Sequence, residues 1–309
     1  MPRIVYICWP PKEISGGIKV AFQHVELLVE AGRPAVIATH QAQRPDWFET
    51  TAEVIDYTAI RPDDVLVFPE NNARFLGTFA SSAQPKVVFC QNPYFVHQGL
   101  GGKLSYAEYG VTHIMCPSMS VVKFCVMRFP ELQVRYTPFH IDHGRFKSTT
   151  AKALQIAVVP RKRMVEFGGI ADLLRARYPD LGGIPWTVLH GVSEQHVAEG
   201  MGRCAVFLSL ARLEAHGLTS LEAMASGCIC AGFTGVYGGN DSATAMNGFW
   251  AAEDDVAGAV EQLAQALRVV KAGGEPYRLV LEDGLLTANK YRREDSARWL
   301  AKFWSDFGL

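Results

Sequence analysis

Glu214 and Glu222 stand eight positions apart in the run EAHGLTSLEAMASG, with Gly217, Leu218, Thr219 and Ser220 between them. Carboxylates accept hydrogen bonds from hydroxyls. A helix start preceded by glycine adds unpaired backbone N–H groups and the positive end of the helix dipole. Together these groups suit a ligand that carries both an anion and hydroxyls. A capping box accounts for part of the same run, with Thr219 as N-cap, Glu222 three residues on and Gly227 as the stop. It leaves Glu214, His216 and Gly217 unexplained, directly after an apolar strand.

Other residues invite chemistry less sharply. Arg161, Lys162 and Arg163 follow the apolar run ALQIAVV and form either a solvated basic turn or a counter-charge for phosphate. Gly16 and Gly17 open the first helical pattern, where a tight turn and a phosphate cradle are both compatible readings; no GxGxxG is present. His97, in QNPYFVHQG, is a candidate to act on a substrate, although a lone histidine is more often a structural hydrogen-bonder. Glu70, Asn71 and Asn72 follow the apolar run DVLVF and stand as candidates to line a ligand site.

The elements that must position these residues are legible from periodicity. Short apolar runs such as RIVYICW, AVIAT, DVLVF, KVVFC and HIMC alternate with helical patterns, as do ALQIAVV, WTVLH, CAVFLSL and CICAGF in the second half. Strand-helix alternation predicts parallel sheets with crossover helices. Ile18, Phe22, Val25 and Leu28 lie at helical spacing, with Gly32 as the C′ residue. The segment TPFHIDHGRFKSTTAK reads as a linker. The expected organisation is therefore a Rossmann-like domain over 1–148, a second over 149–274, and C-terminal helices over 275–309. Trp299, Phe303 and Trp304 predict that the last helix crosses back onto the first domain. Two such domains place ligands at the C-terminal ends of their strands, facing an interdomain cleft.

Bulk numbers exclude several classes. The 309 residues are 49% hydrophobic and 20% charged, a core-forming composition. A net charge of −1 gives no global basic field for nucleic acid. Seven scattered cysteines without a CxxC pair favour a reducing, cytoplasmic setting. The N-terminal run reads as a first strand rather than a signal peptide, and no apolar run has membrane-spanning length. No metal ligand set is expected: Asp63 and Asp64 precede a strand and read as a turn.

Glu214-x7-Glu222 followed by AMASGCICAGFTGVYGG resembles the signature of retaining GT-B glycosyltransferases of the family-four (glycosyl transferases group 1) type. The resemblance is strong over the second half and weaker in the first, through SGGIKV and HIDHGRF. It implies a GT-B fold and sugar transfer from a nucleotide-sugar donor to a saccharide, lipid-linked or small-molecule acceptor. Retention of anomeric configuration and independence of metal or other cofactor are implied too, with no nucleic-acid partner and at most peripheral membrane contact. In these terms Glu222 accepts bonds from the donor ribose. Glu214 contacts the transferred sugar. The backbone of Gly217, Leu218 and Thr219 holds the distal phosphate, and Lys162 neutralises the diphosphate. The family's upstream arginine has no equivalent, since Ile156 and Ala157 stand there; Arg161 or Arg163 is the substitute. His216 replaces the usual Phe and is expected to tune the sugar pocket. Gly17 is placed near the phosphates, and the glycine-rich segment 235–239 over the donor. The rival expectation is a GT-B nucleotide-sugar-binding protein or epimerase without transfer activity.

Overall fold

The computed structural model describes residues 2–148, 152–215, 217–235 and 239–309. The chain divides into Met1–His140 with Arg293–Leu309, and Ile141–Arg292. The division lies ahead of the boundary at residue 148 expected from composition. The backbone shows why: the Ile141 N–H donates to the Tyr291 carbonyl at 3.0 Å, and Arg145 pairs with Glu194 at 2.9 Å.

In the first unit, β1 (Ile4–Ile7) leads to α1 (Gly16–Glu30), β2 (Ala35–Thr39), β3 (Val54–Asp56) and β4 (Val65–Pro69). There follow α2 (Ala73–Thr78), β5 (Lys86–Phe89), α3 (Val96–Leu100), β6 (Val111–Cys116), α4 (Met119–Arg128) and β7 (Gln133–Tyr136). One seven-stranded sheet results, in the order β3-β2-β1-β4-β5-β6-β7. All its pairings are parallel. Ile4, Val5, Tyr6 and Ile7 are all buried, as a strand covered on both faces requires. Helix α1 buries Ile18, Phe22, Val25 and Leu28 and stops at Gly32, whose φ of 75° is left-handed.

The second unit runs β8 (Ala153–Val158), α5 (Met164–Arg177), β9 (Trp186–Val188), α6 (Glu194–Arg203) and β10 (Cys204–Ala211). It continues with α7 (Leu218–Ala225), β11 (Ile229–Thr234), α8 (Gly239–Ser242), β12 (Gly248–Ala251), α9 (Val256–Ala272) and α10 (Gly274–Ala288). Its parallel sheet has the order β12-β11-β10-β8-β9. Ile156, Val206, Leu208, Ile229 and Phe233 meet Ile170 and Leu174 of α5 and Leu263 and Leu267 of α9 in one core.

The last helix, α11 (Arg293–Asp306), belongs to the first unit and packs on α1. It buries Leu300, Phe303 and Trp304, and Ser296 Oγ donates to the Pro138 carbonyl at 2.7 Å. The ring of His113 on β6 meets Phe303 and Phe307 edge-on. All seven cysteines are buried thiols. Among the described residues, no helix is long and apolar enough to cross a membrane.

Both sheets reverse direction once. From β1 the chain builds outward through β2 and β3, then restarts on the other side at β4. From β8 it goes to β9, then restarts at β10. Such reversal points open a crevice at the carboxyl ends of the two flanking strands, where open α/β sheets bind ligands.

Candidate active site

The reversal point of the second unit gathers most of the residues singled out by sequence. Lys162 follows β8 and Glu214 follows β10. Their side chains form an ion pair, Nζ to Oε1 at 2.6 Å, and each is 29% exposed. The ammonium also donates to the Arg212 carbonyl at 3.0 Å. Glu214 is held from a second side, because its backbone N–H donates to the Gly235 carbonyl at 3.0 Å. Gly235 has a left-handed φ of 82°, and a Cβ there would lie 2.8 Å from that of Ala211. The close approach of the β11 loop to Glu214 thus depends on glycine.

Helix α7 starts immediately beyond. Its N-cap is Gly217, and no side chain caps it. The capping box expected from Thr219 and Glu222 does not form: Thr219 is already inside the first turn. The N–H groups of Leu218, Thr219 and Ser220 precede the first intrahelical bond, made by Leu221 to Gly217. Ser220 Oγ donates to Ser209 Oγ at 3.0 Å, and Ser209 Oγ to the Phe233 carbonyl at 2.7 Å. These hydroxyls seat the helix start on β10 and β11. Glu222 is buried, 4% exposed, on the same helix. His216 and residues 236–238 of the glycine-rich segment lie outside the described residues.

Arg163 requires a correction. Its guanidinium is fully buried and used within the protein, so it does not face a diphosphate. Nε donates to the Ala211 carbonyl at 3.1 Å, Nη1 reaches Asp254 at 2.5 Å and Glu166 at 3.3 Å, and Nη2 pairs with Glu253. The group lies over the Phe233 ring, 4.5 Å from its centre. Burial pushes the Glu253 carboxyl up, against the opposing charge of Arg163 and the Gly235 N–H. The Arg163 bond holds Asp254 below its ordinary range. Arg161, by contrast, is exposed. Glu253 and Asp254 escape sequence reading, since in AAEDDV they look like the acidic lead-in to α9, which Asp255 does cap by accepting from Gly258 at 2.8 Å.

At the first unit's reversal point the printed contacts are made by an indole and carboxamides. Trp9, beyond β1, donates its indole N–H to Asn71 Oδ1, beyond β4, at 2.8 Å, and remains 37% exposed. Gln91, beyond β5, donates through Nε2 to the Gly17 carbonyl at 3.0 Å, which ties the start of α1 to the sheet. Glu70 is buried and accepts from the Gln91 N–H at 3.1 Å. Desolvation pushes it up to about 7, although the N–H groups of Gln91 and Asn92 oppose this. Gly99 lies so close to the Glu70 carbonyl that any Cβ would clash, and Tyr106 Oη bonds that same carbonyl. His97 sits exposed on α3, its ring bonded to the Tyr94 carbonyl at 3.0 Å. Gly17 and His97 belong to this unit, and Lys162 and Glu214 to the other. Asp64 is a structural residue: buried, and paired with Arg3 at 2.8 Å. Among the described residues, no group of three His, Cys, Asp or Glu could hold a metal ion.

No protein-family model matches the chain. It is 27% identical over 279 residues to an alpha-1,6-glucosyltransferase of Actinobacillus pleuropneumoniae serotype 7, covering 85% of this chain and 83% of that protein. Sucrose-phosphate synthase from Thermosynechococcus elongatus superposes with a TM-score of 0.73 at 14% identity over 99% of both chains. HepE from Anabaena, in complex with UDP and glucose, superposes with a TM-score of 0.69 at 12% identity, over 99% of this chain and 100% of that one. The chain therefore has the two-sheet α/β fold of GT-B glycosyltransferases and is similar over most of its sequence to an alpha-1,6-glucosyltransferase.

Proposed function

We propose that the protein is a glycosyltransferase that moves a sugar from a nucleoside-diphosphate donor to a saccharide or other hydroxyl acceptor, with retention at the anomeric carbon. The observation that carries this reading is the Lys162–Glu214 pair beside the uncapped start of α7, at the reversal point of the second sheet. The glucosyltransferase relative and the UDP-glucose complex of HepE make UDP-glucose the first donor to test.

Each group has a task in this reading. The N–H groups of Leu218 and Thr219 and the dipole of α7 take the distal phosphate, because that charge grows as the glycosidic bond breaks. Lys162 exchanges its bond to Glu214 for one to the diphosphate. Glu214, released from the ammonium, accepts from hydroxyls of the transferred sugar, and Glu222 from those of the ribose. Arg161 supplies a further cation at the rim. The bond from the anomeric carbon to phosphate oxygen breaks as the acceptor oxygen forms its own bond on the same face. The acceptor proton passes to the leaving phosphate. This chemistry assigns the phosphate charge to Lys162 and helix amides, so transfer should survive excess EDTA.

The first unit offers the acceptor side. A half-exposed indole fixed by Asn71, with the Gln91 amide beyond it, is suited to a neutral saccharide: a ring face for C–H contact and amides for hydroxyls. His97, exposed on α3, is the candidate assigned to act on the acceptor. The expected setting is the cytoplasm, with no nucleic-acid partner.

The test is release of UDP from UDP-glucose in the presence of oligosaccharide acceptors, with the product linkage read by NMR. Retained configuration with EDTA-resistant turnover supports the proposal. An inverted linkage removes the retaining assignment, and a metal-restored loss of activity removes the role given to Lys162. Glu214→Gln should bind UDP normally and transfer slowly. Glu222→Gln should bind UDP about tenfold more weakly, the worth of a charge-assisted hydrogen bond. Parent-like behaviour of both variants would reduce this stretch to a helix start.

A further inference from the structure

Three consecutive basic residues follow β8, and the structure treats the last two oppositely. Lys162 is partly exposed and reaches the Arg212 carbonyl and Glu214. Arg163 is buried and reaches the neighbouring Ala211 carbonyl. One side chain grips the end of β10 from outside, the other from within.

The buried grip connects every loop that carries the site. Arg163 is the residue immediately before α5, and its partners are Glu166 on α5, Ala211 at the end of β10, and Glu253 and Asp254 in the β12–α9 loop. Its plane covers Phe233 of β11. Glu253 in turn faces the Gly235 N–H, and the Gly235 carbonyl holds the Glu214 N–H. The connections close into a ring: Lys162, Arg163, Glu253, Gly235, Glu214 and back to Lys162 through the ion pair. Asp254 takes a positive φ of 62°, uncommon for a residue other than glycine, while bonded to Arg163. A planar guanidinium can span three acceptors in fixed directions; an ammonium supplies charge without that fork.

We infer that Arg163 and Glu253 are positioning residues for Lys162 and Glu214: the buried guanidinium sets the loops so that the exposed pair stands at the reversal point. This rests on the reading that Lys162 belongs to the donor site. On it, Arg163 adds nothing to donor binding except through Lys162 and Glu214.

A double-mutant cycle tests this. UDP, GDP and ADP are titrated calorimetrically into the parent, and the tightest is carried through Lys162→Ala, Arg163→Met, Glu253→Gln and the two double variants with Lys162→Ala. Melting temperatures are recorded for all. Lys162→Ala should weaken binding about tenfold. Arg163→Met should weaken it severalfold in the parent background and leave it unchanged in the Lys162→Ala background, since coupled sites do not add. Arg163→Lys, which keeps the charge, should not restore affinity. Glu253→Gln keeps the guanidinium neutralised by Asp254 and Glu166, so it provides a folded variant should Arg163→Met fail to fold; it should show the same coupling. Losses that multiply independently in both cycles, or full affinity in Arg163→Lys, overturn the inference and leave the functional reading intact. A parent that binds none of the three diphosphates, or a Lys162→Ala variant that binds like it, overturns the functional reading and the inference with it.

Discussion

The two sheets carry the same device, a reversal of strand order, and furnish it with opposite chemistry. In the second unit the crevice ends hold charges, each matched: Lys162 with Glu214, and Arg163 with Glu166, Glu253 and Asp254. In the first unit an indole and carboxamides bond one another and the backbone at the strand ends, and Glu70 is desolvated. His24, sandwiched by its bond to Tyr6 and its stack on Phe89, is driven down to about 3 by burial and by His140. Glu70 is driven up to about 7. Burial selects the neutral form where no counter-charge is supplied, and the charged form survives where one is. A crevice lined by paired charges can exchange partners with an incoming diphosphate. One lined by neutral groups suits hydroxyls and ring faces.

The contrast is broken most directly at Arg163. Arg163→Met leaves Glu253 and Asp254 facing an apolar side chain. Both carboxylates keep some solvent, so the cost should be about 3 kcal/mol, at the lower end for a broken buried pair. Chemical denaturation followed by fluorescence should show the loss. A change under about 1 kcal/mol would mean that the second unit's charges are not held by pairing.

In the first unit the contrast appears as pH dependence. Glu70 has a folded value of about 7 against an ordinary 4.5, so the native state binds the extra proton between these values. Stability from this group is therefore present at low pH and lost as pH rises through that window, by about 2 kcal/mol between pH 5 and pH 8. His24 has the opposite sign: its stability is lost as pH falls below 6.5. Because His24 is common to both proteins, the difference between parent and Glu70→Gln isolates Glu70. Glu70→Gln should gain on the parent as pH rises, and identical pH slopes for the two would show the carboxyl to be ionised in place.

Lys162→Met should separate binding from folding. A pair that is partly solvated contributes under about 1 kcal/mol to stability, so the melting temperature should hardly move. UDP affinity should fall about tenfold. Equal effects on both would make the pair a structural one.

The smallest expected effect is at Trp9. Trp9→Phe keeps an aromatic face and removes the bond to Asn71. The acceptor KM should rise about threefold, the worth of one neutral hydrogen bond, with UDP affinity unchanged. A shift in UDP affinity instead would place Trp9 on the donor's side of the chemistry.

Sequence alone determined the architecture, because burial on both faces of a strand leaves an apolar run and a docked helix leaves a 3.6-residue stripe. β1, β4, β5, β8 and β10 lie where apolar runs stand, and α1 buries the stripe Ile18, Phe22, Val25 and Leu28. The spacing of Lys162, Glu214 and Glu222 after strands also marked the candidate site. Only the tertiary structure decided which way adjacent residues point. Lys162 and Arg163 are chemically alike in sequence, and their separation into an exposed pair and a buried clamp depends on Glu253 and Asp254, some ninety residues on. Thr219 and Glu222 have capping-box spacing, yet the helix begins two residues before that box allows. Local spacing records what a segment can do. Long-range contact decides it, because a guanidinium goes to the interior only where distant carboxylates are there to neutralise it.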